Sequence, residues 1–382
     1  MSNTYGYGRE EVVYARHEDD GYGIHKLQSG ADALVAISTD FKETIERMDR
    51  KEKGTTRSVF DRVTQKKSAE WSINKFILPS GTAGTPPDDR WLFASAMGTH
   101  QNNAGVSDVF SLTTEPAVTL DIVREIGTFR ECIRGGIVNT MEISFGGGEE
   151  PKVAFSGPAK DLLHCGRDTL DEASAGDTQV VVHDSYRFEP GMYISVGDDD
   201  NTGSGYLIAS INHATHTLTT VGNVTADDES AVIPTVIVPV TGGDIIPVIV
   251  GSVNLGTGGT KPVTAGRITL NNNALLRNDE FGSASPTGVR YADWREVTFS
   301  FDIYLLATDL DIIGGAKQFV QNDIAIILGG TAGKILTIDM DQCEFEIPSI
   351  TIPEEGETTI TITGKALGTS GTGNDELILT FT

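Results

Sequence analysis

Three short stretches carry residue types that could do chemistry at nearly the right spacing. Gly329 to Lys334, GGTAGK, has the form of a glycine-rich turn that cradles phosphate. Such a loop needs a glycine at the position of Leu328 and a Ser or Thr for magnesium at the position of Ile335, so a hairpin turn is predicted instead. Gly197 to Gly205, GDDDNTGSG, sets Asp198, Asp200, Thr202 and Gly203 in the order of a calcium loop. The bidentate acid that closes such a loop falls on Ala209, which predicts a solvated turn with at most weak calcium affinity. His183-Asp184-Ser185, with His213 and His216 beyond, offers the groups of a Ser/His/Asp hydrolase. No GxSxG elbow accompanies them, and adjacent strand residues such as His183 and Asp184 face opposite sides.

Cys132, Cys165 and Cys343 are odd in number, widely spaced and outside any CxxC pair, which predicts buried reduced thiols with neither a disulfide framework nor a zinc site. A carbohydrate-active enzyme would need two carboxylates across a cleft with aromatic platforms. The chain has only three tryptophans, Trp71, Trp91 and Trp294, and the first and last stand near equivalent points of two similar halves, which favours packing. No enzymatic activity and no cofactor or metal is expected.

The elements that would position such groups are overwhelmingly strands. Val-, Ile-, Thr- and Phe-rich segments with period-two alternation run over Glu70 to Leu78, Ala117 to Ile126, Glu296 to Leu305 and Thr358 to Thr363, broken by Gly, Asn, Asp and Pro. One short helix is predicted over Arg90 to Met97, between an acidic proline start and Gly98, and another from Thr308-Asp309 through Phe319, weakened by Gly314-Gly315. The order strand, helix, strands, hairpin occurs twice. Val153 to Gly157 (VAFSG) lies over Ile360 to Gly364 (ITITG), each after a Gly/Pro/Glu-rich turn and before Lys and Ala. Between the halves, Arg167 to about Pro239 holds twelve acids against Arg167 and Arg187 and has short strands, as in a small acidic module. The expected division is 1–166, 167–240 and 241–382.

A net charge of -25 opposes general nucleic-acid binding, which requires a basic surface. The first thirty residues contain no apolar run of signal-peptide or membrane length, so a soluble, cytoplasmically made chain is expected. Lys42 to Lys67 holds nine of the 29 basic residues among interspersed acids, and Ile268 to Val297 is a comparably long excursion at the same point of the second half. Mixed charge of this kind suits an interface that sets register and orientation.

These features resemble the tail tube proteins of long-tailed bacteriophages, especially the noncontractile type. The resemblance rests on REVTFSFDIYLL, DIAIILGG, CEFEIPSITIPEEGETTITITGKALG and the final NDELIL in the second half, and on KKSAEWSINKFILPSG and IRGGIVNTMEISFGGGEEPKVAFSGPAKDLL in the first. It implies two β-sandwich or barrel-like domains, each with a flanking helix, plus an outlying acidic β module. It further implies trimeric rings of pseudo-sixfold symmetry, or hexamers, stacked into a virion tail tube after assembly in the host cytoplasm. Tape measure, tail terminator and tail tip proteins would be its partners, with viral DNA passing through unbound and no membrane contact. Glu142, Glu344 and Glu346 are expected to face an acidic channel, and Lys42, Arg47, Arg50, Lys51, Arg57, Arg277, Asp279 and Glu280 to form contacts between rings. A β-rich capsid decoration protein or adhesin-like binding module is the alternative.

Overall fold

Alternation along the strands decides the architecture. Trp71 and Ile73 are buried while Ser72 and Asn74 point away from them, and the same two-residue rhythm runs through Met141 to Ser144 and Val297 to Ser300. In the computed structural model, which describes residues 11–50, 61–247, 250–306, 309–352, 357–369 and 373–382, strands take up 54% of the chain and helices 7%. Among the described residues no helix is long and apolar enough to cross a membrane.

The first half contains β1 (Glu11–His17), β2 (Ala33–Leu34), β3 (Ser38–Arg50), β4 (Asp61–Phe76), α1 (Arg90–Met97), β5 (Gly98–Asn103) and β6 (Ser107–Leu112). It continues with β7 (Leu120–Ile126), β8 (Phe129–Gly136), β9 (Thr140–Gly146), β10 (Glu149–Ala159) and β11 (Asp161–Cys165). The acidic segment supplies β12 (Asp168–Thr169), β13 (Ser174–Val181), β14 (Tyr193–Val196), β15 (Tyr206–Asn212), β16 (Thr217–Ala226) and β17 (Ala231–Pro234). The second half has β18 (Gly251–Asn254), β19 (Thr260–Lys261), β20 (Val263–Asn271), β21 (Ala274–Leu276), β22 (Val289–Tyr291), β23 (Glu296–Tyr304) and α2 (Leu310–Lys317). It ends with β24 (Gln321–Leu328), β25 (Leu336–Phe345), β26 (Ser349–Thr351), β27 (Thr359–Ala366) and β28 (Ile378–Phe381).

Strand order repeats between the halves. In the first, one layer runs β11-β8-β7-β1-β2 and the other β9-β10-β4-β3. In the second, the corresponding orders are β28-β25-β24-β18-β19 and β26-β27-β23-β20, all pairs being antiparallel. Two glycines anchor the correspondence. Gly157 pairs with Trp71 and Gly364 with Phe299, and a Cβ at either would meet a main-chain oxygen, that of Ile137 at 1.9 Å or Glu344 at 2.2 Å. Only glycine permits so close an approach.

The halves are not separate bodies. β9 pairs with β20 from Thr140↔Asn271 to Gly146↔Ala265, joining the two inner layers into one eight-stranded sheet. The hairpin β5–β6, which has no counterpart in the second half, adds β6 to the edge of β28. One continuous apolar core spans both halves. At its centre Phe93 of α1 meets Phe155, Phe110 and Phe381 at ring separations of 5.2, 5.4 and 5.5 Å. The acidic segment forms its own six-stranded sheet, β12-β17-β14-β15-β16-β13, whose apolar face packs on the outer side of the β7–β8 layer through Val123, Leu163 and Cys165.

Each helix is fixed by a buried ion pair. α1 ends at Gly98 with φ 96° and starts after Asp89, whose carboxylate receives the Lys75 ammonium at 2.7 Å with both side chains 1% exposed. α2 starts after Asp309, which receives Lys261 at 2.5 Å and the Leu306 amide at 2.7 Å. The second helix forms despite Gly314-Gly315 because Ile312 and Ala316 are buried.

Candidate assembly edges and channel face

Among the described residues the motifs that suggested chemistry lie in turns of the fold. The GGTAGK turn joins β24 to β25, and its Gly333 oxygen takes the Gly81 amide at 3.1 Å while Lys334 faces Asp244 at 3.3 Å. In the acidic turn, Asp199 organises the backbone by accepting from Tyr206 at 2.7 Å and the Thr225 amide at 2.9 Å. Its burial opposes the effect, but these bonds hold the Asp199 carboxyl below the usual range. Among the described residues the acids of this turn do not gather as a metal-binding cluster. Ser185 does meet His213 at 2.9 Å and His216 at 3.2 Å. The serine is fully buried and His213 stacks on Tyr186 at 4.4 Å, so the trio braces a turn. Trp294, expected to pack like Trp71, is 87% exposed while Trp71 is 2% exposed. The residue at the Trp71 position is Phe299, five places on, because the β22–β23 turn intervenes.

What the fold builds instead is a long polar face. One cross-strand row passes through six of the eight strands, from β4 to β27, and ends on β25, whose last residues pair with β27: it reads Asn74, Ala154, Glu142, Thr269, Thr298, Lys365 and Glu344, each paired with the next. Glu142 and Glu344 therefore share a row, and Glu346 lies beside it, accepting from Thr363 at 3.0 Å. Opposite this face the same strands bury Phe41, Trp71, Phe155, Ile143, Ile268, Phe301 and Ile362. The face holds Asp40, Glu70, Glu142, Glu296, Asp302, Glu344 and Glu346 against Lys42, Lys152, Arg267 and Lys365, seven acids to four bases. Arg267 reaches Glu142 at 3.3 Å and Lys365 reaches Glu296 at 2.7 Å.

Among the described residues two strand edges of this sheet have no partner strand: β3 pairs only with β4, and β26 only with β27. Exposed apolar side chains gather beside them: Ile37, Ile45 and Met48 on one side, Ile347, Ile350 and Ile352 on the other. An unblunted edge flanked by apolar groups is a template for another strand. In the repeated order β3 corresponds to β20 and β26 to β9, the two strands that pair inside the chain.

The charged arms lie at one end of the face. Arg47 and the backbone of Arg50 continue β3 past its bulge, while Lys51 and Arg57 lie outside the described residues. Lys42 sits apart from the arm, on the polar face across from Glu70. Arg277, Asp279 and Glu280 belong to the β21–β22 excursion, where Asp279 faces Arg290 at 3.5 Å. The Lys66 ammonium donates to the Glu280 carbonyl at 2.9 Å and the Lys67 amide to Ala284 at 2.9 Å, so the second excursion rests on the root of the first.

On the outer side, His164 of β11 stands between Glu131 at 3.4 Å and Glu189 of the acidic module at 3.3 Å. Its bonds to Glu131 and then Glu189 raise it to about 9, so a cationic histidine ties module to sheet. A cluster not anticipated from sequence is fully enclosed nearby: His25, Asp121 and Cys132. Burial, then the Asp121 charge, pushes the Cys132 thiol well above its ordinary range, which makes it no nucleophile. No protein-family model matches this chain, and no curated protein matches it.

Proposed function

We propose that this chain is a structural subunit that closes edge to edge with its own copies into rings, and that stacked rings form the tail tube of a long noncontractile-tailed phage. One observation carries the proposal: the β9–β20 pairing already joins two copies of the same strand order in one sheet. The free β26 edge has the place of β9 and the free β3 edge that of β20, so the junction made once within the chain can be made again between chains. The contact is heterologous, and such a contact gives a closed ring when its rotation closes. Three chains would contribute six copies of the four-stranded unit, the pseudo-sixfold count that the sequence resemblance implies. The polar face then lines the channel, the acidic module sits outside, and the charged arms meet the next ring. Negative-stain microscopy of the purified protein tests this. Hollow rings or tubes with pseudo-sixfold averages are expected, and a species that stays monomeric under all assembly conditions removes the proposal, leaving the decoration or adhesin reading.

A further inference from the structure

We propose that His25, Asp121 and Cys132 form a zinc site that pins the β1–β2 loop to the first-half sheet. The three side chains come from three separate segments: the loop, β7 and β8. Their donor atoms converge, with His25 Nδ1 2.6 Å from Asp121 Oδ2, and Cys132 Sγ 2.9 Å from Asp121 Oδ1 and 3.1 Å from His25 Nδ1. All three residues are at most 6% exposed.

The donor set selects the ion. One thiolate, one imidazole and one carboxylate suit borderline zinc, whereas calcium and magnesium take oxygen ligands. A tetrahedral zinc with ordinary bond lengths separates its ligand atoms by about 3.3 to 3.6 Å. The donors need to part by about 0.5 to 0.7 Å to admit it, and the thiol proton leaves to solvent as the metal binds. Three protein ligands leave a fourth position for a further ligand.

The loop supplies the reason for a pin. Between Glu18 and Ser29 it has no strand or helix, yet it buries Glu18, His25 and Gln28. Glu18 is held by the amides of Gly135 at 2.6 Å and Gly23 at 2.9 Å, and the Lys26 amide reaches Asp121 at 2.9 Å. The corresponding β18–β19 connection in the second half spans only Leu255 to Gly259. The cluster is therefore an addition to the repeated architecture, placed where an irregular segment must bury polar groups.

Elemental analysis of the full-length protein, dialysed against zinc and passed through gel filtration, is expected to give one zinc per chain. Cobalt loading should produce a thiolate-to-cobalt charge-transfer band that Cys132→Ala abolishes and that Cys165→Ala and Cys343→Ala leave in place. Background zinc in the wild-type protein, or a cobalt band that survives Cys132→Ala, overturns the proposal. If Cys132→Ala fails to fold, His25→Gln takes its place, and the wild-type zinc content decides by itself. None of these readouts depends on ring formation.

Discussion

If the internal β9–β20 junction is the template for the contact between subunits, its register dictates which residues meet across the ring. The Gly157–Trp71 and Gly364–Phe299 pairs set Lys42 in the place of Thr269, and Ser349 in that of Glu142. Thr269 and Glu142 are direct cross-strand partners within the chain, so Lys42 of one subunit should stand opposite Ser349 of the next. Directly opposed residues in antiparallel strands have Cα atoms about 4.5 to 5.5 Å apart, within the roughly 4.4 to 6.8 Å that a disulfide spans. Lys42→Cys combined with Ser349→Cys is therefore expected to link under mild oxidation, with dimers at partial reaction and a closed covalent trimer as the limit on non-reducing gels. Glu142→Cys with Thr269→Cys serves as the internal control and should close within one chain. Moving one site by a single residue, Lys42→Cys with Ile350→Cys, sets the sulfurs on opposite faces and should not link. The native cysteines are 0% exposed, so background is low. Failure of the inter-chain pair while the internal control closes refutes the template argument, even if rings are seen.

Three further outcomes follow from the geometry. Lys75→Met leaves the buried Asp89 carboxylate uncompensated, with its Oδ1 already unbonded, and should cost about 3 to 5 kcal/mol in urea unfolding. Burial already raises Asp89, so its folded value lies above the unfolded one and stability falls as pH rises between them; the loss in Lys75→Met should shrink at acid pH, and a pH-independent loss would count against this cause. The His164 clamp has the opposite arrangement of charge: a base raised to about 9 stabilises fully below its unfolded value near 6.5, and that contribution disappears as pH rises through 9. Protection factors in the acidic module, taken relative to the intrinsic exchange rate at each pH, should fall between pH 7 and 10, modestly because the ring is about a third exposed, and His164→Ala should remove that fall. Glu142→Lys with Glu344→Lys is expected to leave tube assembly intact and slow genome release; unchanged ejection kinetics would take these residues off the channel face.

Local patterns were legible from sequence and distant pairings were not. Alternation gave the strands around Trp71, Ile122, Phe299 and Ile362, and the proline start and Gly98 bounded α1 to the residue, because these depend on near neighbours. The VAFSG and ITITG match was visible because Gly157 and Gly364 both answer a close approach of main chain. Nothing in the sequence announces that β9 will pair with β20, 125 residues apart at Ile143 and Ile268, since either strand would satisfy many partners. Lys75 falls on the inward phase of its strand with Trp71 and Ile73, and nothing local announces that Asp89, fourteen residues on, will compensate its charge there. His25, Asp121 and Cys132 are separated by 96 and 11 residues, with none of the short spacings by which metal ligands are recognised.

The distribution of charge bears on how a polyanion could pass. The polar face holds seven of the chain's 54 acids and four of its 29 bases, so it is no more acidic than the chain as a whole, and the excess lies largely elsewhere, much of it in the outer module. Net charge alone is then a weak account of a non-binding channel. Pairing is a stronger one. Arg267 is engaged by Glu142, Lys365 by Glu296 and Lys152 by Glu149, and Lys42 stands across from Glu70. A phosphate gains by displacing counterions only where a cation is free to meet it, and here Arg267, Lys365 and Lys152 would first have to leave a carboxylate. Removing one acid of a pair should consequently do more than its unit charge suggests, because it also frees a base. Glu142→Gln, which exposes Arg267, is expected to slow ejection more than Asp40→Asn, whose carboxylate has Ser72 as its cross-strand partner. Equal effects of the two neutralisations would show that the field of the whole face, and not pairing, governs transit.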